Sequence, residues 1–171
     1  HTLDEKLYNS PAMALSVTMK AVAAAGRLAH LNFERGCKVL AKYDPVLAAE
    51  IDKDEDCIDQ FTDNSDRFLI GLSKVVETEA DDRQLDMLMQ TVPNFERIGD
   101  YATNMVELAQ RLQSENAAFS NMAKKELALI TQAVNEILEI TVDAFSKDDN
   151  EAAKAIEPLE ETIDDMIMML K

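Results

Sequence analysis

Apolar residues recur along this chain at intervals of three and four, the spacing of one face of an α-helix. Leu15, Val22, Ala25, Leu28, Ala29, Phe33 and Leu40 form such a stripe, with Asn32 set among them. Asn9-Ser10-Pro11 precedes it: a capping residue, then a proline suited to the first helical position. A long helix is therefore predicted from about Pro11 to Tyr43. Asp44-Pro45 repeats the cap-plus-proline signal and opens a second helix to about Thr78, with Ile51, Ile58, Phe61, Phe68, Leu72 and Val75 inward. A third runs from about Ala80 to Ser114 on Leu85, Leu88, Val92, Phe95, Ile98, Ala102, Met105, Ala109 and Leu112, with Pro93 inside it as a point of kinking. A fourth is predicted from about Asn116 to Ser146 and a fifth from about Asp149 to the end. Residues 1–10 lack periodicity and read as a lead-in linker.

Connections this short make successive helices antiparallel neighbours, which gives an all-α, elongated up-down bundle. Composition agrees: 171 residues hold only four Gly and four Pro, too few for the frequent turns of a β-sandwich or barrel. Hydrophobic residues make up 47%, enough for a core without disulfides. No run of about 18 apolar residues is evident, so no membrane span is expected. Cys37 and Cys57 fall in helical pattern and read as buried or half-buried free thiols in a reducing, cytoplasmic setting.

The helices repeat. A shift of 105 residues lays the first two helices over the last two without gaps, from Val22–Asp59 onto Leu127–Asp164. Nine of those 38 positions are identical, and the register matches Asp44 to Asp149 and the pair Glu55/Asp59 to Glu160/Asp164. The division predicted is 11–114 as a complete three-helix repeat and 115–171 as the first two helices of another. The second repeat would lack its third helix, leaving an apolar strip that predicts a homodimer.

Charge narrows the function. With 33 acidic and 17 basic side chains the net charge is −16, which repels nucleic acid and anionic lipid and attracts cations. Glu55 and Asp59, Glu96 and Asp100, and Glu160 and Asp164 each stand four apart, so each pair projects from one helix face. Pairs on adjacent antiparallel helices can surround one cation with oxygen ligands. Spacing alone is weak, because a chain this acidic holds roughly six such pairs by chance. Asp52, Glu55, Asp56, Asp59, Asp63 and Asp66 equally describe a solvated stripe on a helical interaction module with no metal site. The third helix adds weight: Glu96 and Asp100 flank the core positions Phe95 and Ile98, and Gly99 between them implies close approach by a neighbour. Glu161 and Asp165 overlap the last pair, but the repeat register favours Glu160 and Asp164. No nucleophile motif, Gly-rich phosphate loop or Cys-x-x-Cys points to an enzyme. His30 has Arg27 three residues before it, so the Glu-x-x-His pattern of di-iron bundles fails.

The segment Phe95–Met105, FERIGDYATNM, resembles the signature of the PhoU family, regulators of bacterial phosphate uptake. Glu55-x-x-x-Asp59 on the preceding helix matches that family's acidic motif, and the helix order agrees. The similarity runs from about Pro11 through the chain. The lead-in LDEKLYNSPAMAL resembles the junction in bacterial sodium/phosphate cotransporter-like proteins that carry a PhoU-like domain after their membrane segment. What the resemblance implies is a pair of similar three-helix bundles, a non-enzymatic regulatory role, and metal held by the motif acids. By motif match Glu55, Asp59, Glu96 and Asp100 would form one site, and Glu160 and Asp164 half of another. The metal would be iron, zinc, manganese, magnesium or calcium. The partner would be the transporter's membrane segment or a signalling protein.

Overall fold

The structure is a computed structural model, and it describes residues 3–146. Four helices follow in order: α1 Pro11–Ala41, α2 Pro45–Ser73, α3 Glu79–Ser114 and α4 Asn121–Ser146. Among the described residues there is no strand, and the all-α expectation holds. The fifth helix lies outside the described residues.

The starts of α1 and α2 lie where cap and proline placed them. Asp44 is extended and accepts hydrogen bonds from the backbone N–H groups of Val46 and Leu47. Ser10 occupies the cap position of α1 but its side chain makes no cap bond; its carbonyl takes the first helical bond from Ala14 N–H. Pro93 sits in α3, which continues through it as one helix.

Two boundaries differ from expectation. Helix α2 stops at Ser73, not near Thr78, because Thr78 is the N-cap of α3. Its hydroxyl accepts from Asp81 N–H at 3.1 Å, which requires extended backbone at Thr78 and ends helical geometry before it. Helix α4 begins at Asn121 rather than Asn116. Asn116 has φ of 52° and closes α3, with Ala117 N–H reaching back to the Leu112 carbonyl at 2.8 Å and Asn116 N–H to that of Gln113 at 3.1 Å. Ser120 then caps α4, its hydroxyl accepting from Ala123 N–H.

The lead-in has structure that its lack of periodicity hid. Glu5–Asn9 form one short 3-10 helix, too short to show a period, capped by the Asp4 side chain. Tyr8 docks it onto α2: the ring stacks on Phe68 with centroids 5.0 Å apart, and the hydroxyl donates to the Phe68 carbonyl at 3.0 Å.

Helix α1 is the centre of the bundle and packs against α2, α3 and α4. Phe33, Leu15, Val22 and Val39 are fully buried, and they meet Ile51, Ile58 and Leu72 of α2 and Leu88, Phe95 and Met105 of α3 in a single core. By length and composition α1 is apolar enough to cross a membrane, which the expectation of no span did not anticipate. Contact with three other helices accounts for its apolar surface as that of a central core helix. Cys37 is half-buried and Cys57 is exposed; both are free thiols, so only Cys37 sits as expected. Burial, and then the charge of Glu34, pushes the Cys37 thiol up to about 12.

Candidate metal centre

The α2 face that meets α3 carries Ile51, Glu55, Ile58, Thr62 and Ser65, one residue per turn and all buried. Ile51 and Ile58 are apolar, Thr62 donates to the Ile58 carbonyl, and Ser65 carries one unpartnered hydroxyl. Glu55 is the ionisable group among them. It is 8% exposed, and neither carboxylate oxygen has a hydrogen-bond partner. Leaving a buried polar group unpaired is costly, and an ionised one more so.

The surroundings make ionisation harder. Oxygens of Glu55, Asp59 and Asp100 all lie within 4.8 Å of one another, gathered from one turn of α2 and the facing turn of α3. Asp59 and Asp100 are more open to water than Glu55. Burial first, then a hydrogen bond with Asp100 that can exist only when one of the two is protonated, then the charges of Asp100, Asp59 and Glu96 push Glu55 up to about 9. Asp59 is raised as well, by burial and then by Asp100. Glu96 stands one turn before Asp100, outside the triplet. Burial raises its pKa, followed by the charges of Asp100, Asp59, Asp63 and Asp66. Asp66 is raised by burial and by Asp63. The acidic seam thus continues along α2 past the four acids singled out from the sequence.

Two features of the neighbouring helices shape the surroundings of Glu55. On the α3 side Gly99 leaves space for it: a Cβ at that position would fall 2.7 Å from Glu55 Oε2. On the α1 side Asn32, fully buried, donates from Nδ2 to the Ile51 carbonyl at 3.2 Å, one turn before Glu55. Arg35 Nη1 bonds both Asn32 Oδ1 at 3.1 Å and Asp54, and its Nε lies 3.8 Å from Glu50. Sequence reasoning took Asn32 for a core position and passed over Arg35. The available signal was an amide inside an apolar stripe with an arginine three residues on, facing the acids of α2.

Glu55, Asp59 and Asp100 come together as the sequence predicted, and Glu96 adjoins them. Glu160 and Asp164 lie outside the described residues. The residues present fit a cation. The donors are all carboxylate oxygens with excess negative charge, the deepest of them is orphaned, and a glycine leaves the cradle that a side chain would fill. Such a set suits hard or borderline ions that take several oxygen ligands.

His30 belongs to another face. Its Nε2 lies 3.2 Å from Glu34 on the same helix, so it is placed as a packed histidine and takes no part in the carboxylate group.

The chain is 25% identical over 158 residues to a protein of Aquifex aeolicus (strain VF5) described as "Phosphate-specific transport system accessory protein PhoU homolog", covering 92% of this chain and 70% of that one. No solved structure matches it significantly. Residues 22–109, which contain α2 entire and the whole carboxylate seam, match the family described as "PhoU domain". With the acids of its α2–α3 seam inside that match, this chain belongs to the PhoU domain family.

Proposed function

We propose that this chain is a non-enzymatic regulatory domain of phosphate transport that binds a divalent or trivalent cation between α2 and α3. Glu55, Asp59 and Asp100 would hold the ion, and Glu96 would contribute from the adjoining turn. The observation that carries the reading is Glu55, a buried carboxylate with neither oxygen partnered, aimed at two further carboxylates. A cation there would offset their repulsion and tie α2 to α3. The transport setting rests on the family and on the description of the Aquifex protein as an accessory of a phosphate-specific transport system. Phosphate would not bind so acidic a seam directly; it would need the metal as a bridge.

The finer picture extends the resemblance of the lead-in. The domain would be the cytoplasmic part of a sodium/phosphate cotransporter-like protein. It would contact the membrane segment of its own chain or a signalling protein, and it would pair as a homodimer. Residues 11–114 would be one repeat and 115–171 the start of a second, with Glu160 and Asp164 as half of a second site.

A specific observation favours the competing reading of a helical interaction module without metal. Glu55 is pushed up to about 9, so a proton can neutralise it at physiological pH and the seam can stand without an ion. Elemental analysis separates the two. Wild-type protein equilibrated with manganese, iron or zinc and desalted is expected to retain metal, and a Glu96→Ala/Asp100→Ala variant to retain less than half as much. Equal content in the two proteins would sink the metal site and leave the module.

A further inference from the structure

Gly99 precedes Asp100 on the buried side of α3. Its backbone is ordinary helix, since no glycine of the described residues has a positive φ. Conformational freedom therefore does not explain a glycine in mid-helix, where the residue weakens the helix relative to alanine. Space does. A Cβ at this position would lie 2.7 Å from Glu55 Oε2, 3.2 Å from Ile58 Cδ1 and 3.5 Å from Glu55 Cδ. The Glu55 carboxylate occupies the volume that any other residue would fill with its first side-chain carbon.

The contact falls on the far end of a flexible side chain, so a methyl group at position 99 would turn the Glu55 carboxylate aside rather than part the helices. Asn32 and Arg35 of α1 hold the same turn of α2 from behind, through the Ile51 carbonyl and the Asp54 and Glu50 carboxylates. The Glu55 oxygen lies within 4.8 Å of those of Asp59 and Asp100, so a displaced carboxylate would leave the position it holds in that group. We infer that Gly99 is a positioning residue of the metal site: its missing side chain is the notch that admits the Glu55 carboxylate to the α3 side of the seam. This inference rests on the metal reading above. It assigns Gly99 no ligand role; it acts only through Glu55.

Manganese(II) titration of the full chain, followed by electron paramagnetic resonance, tests it beside thermal melts of the metal-free proteins. Gly99→Ala should weaken manganese binding at least tenfold, the scale on which groups behind a ligand act, while the metal-free melting temperature changes little. Adding Glu55→Asp shortens the carboxylate arm by one methylene and makes room for the new methyl group. That double variant should bind at least threefold more tightly than Gly99→Ala alone. Adding Ile58→Val instead relieves the other close contact and should recover nothing. Should Gly99→Ala fail to fold, the double variants decide: folding restored through Glu55→Asp supports the notch, and restoration through Ile58→Val alone, or through neither, overturns it. Wild-type binding matched by Gly99→Ala overturns this inference and leaves the metal site standing. A wild-type protein that takes up neither manganese nor iron nor zinc removes both.

Discussion

At the scale of the residue, Glu55 links stability to pH in a direction opposite to that of most carboxylates. Its pKa in the folded protein is raised to about 9, while an unfolded chain releases the proton near the ordinary value of 4.5. The stability it contributes is complete below about pH 4.5 and is lost as pH climbs toward 9, with a slope of up to about 1.4 kcal/mol per pH unit. Asp59, Glu96 and Asp66 are raised too and act with the same sign. Denaturant titrations of metal-free protein between pH 5 and 9 should therefore show falling stability, and Glu55→Gln should flatten most of the fall. A wild-type curve that stays level or rises would contradict this account of the seam. A cation reverses the preference, since it binds the ionised form. Metal uptake should release a proton and strengthen as pH rises. Calorimetry in two buffers of different ionisation enthalpy measures that proton directly, and identical apparent enthalpies in both would mean none is released.

At the scale of the element, α2 and α3 are positioned for the site by α1, and that part of the design was only partly legible. Periodicity identified the apolar faces correctly because burial in a helix seam is a matter of spacing: Ile51, Ile58, Leu88, Phe95 and Ile98 are all in the core. Caps that coincide with proline were legible for the same local reason. Thr78 and Asn116 were not, because each lies in a stretch whose composition still suits a helix, and the choice is made by one hydrogen bond or one left-handed residue. The acid pairs were legible as candidates, but spacing alone could not show their convergence, since i and i+4 says nothing about which face meets another helix; the motif resemblance is what grouped them. Gly99 was the sequence feature that pointed to an approach, and the approach is that of Glu55. Asn32 shows what spacing cannot reveal: it follows the apolar period but serves as a donor to α2. Removing it, as Asn32→Ala, strips a buried hydrogen bond and leaves Arg35 without its Asn32 partner. Chemical denaturation should register a loss of about 1–2 kcal/mol, and an unchanged midpoint would reduce the α1 clamp to incidental packing.

At the scale of the whole molecule, the four described helices pack asymmetrically. Helix α1 is wrapped by three others, whereas α4 presents Leu127, Thr131, Leu138 and Val142 to α1 and turns another face outward. Met122, Leu129 and Ile140 on that outer face are 72%, 69% and 69% exposed. They are separated by seven and eleven residues, two and three helical turns, so they line one stripe. Large apolar side chains aligned on one face attract a partner. The overall charge of −16 opposes close approach of two copies, and exposed Glu136, seven residues after Leu129, lies in the stripe itself, so pairing through this face should strengthen as salt screens the repulsion. The homodimer proposed above then makes a specific expectation. Light scattering at about 10 µM should give twice the 19.1 kDa chain mass for wild type. Leu129→Lys/Ile140→Lys should give the single-chain mass with an unaltered helical circular dichroism spectrum, because neither side chain belongs to the core. A wild-type monomer would dismiss the dimer. A variant that remains dimeric would move the contact off the α4 stripe.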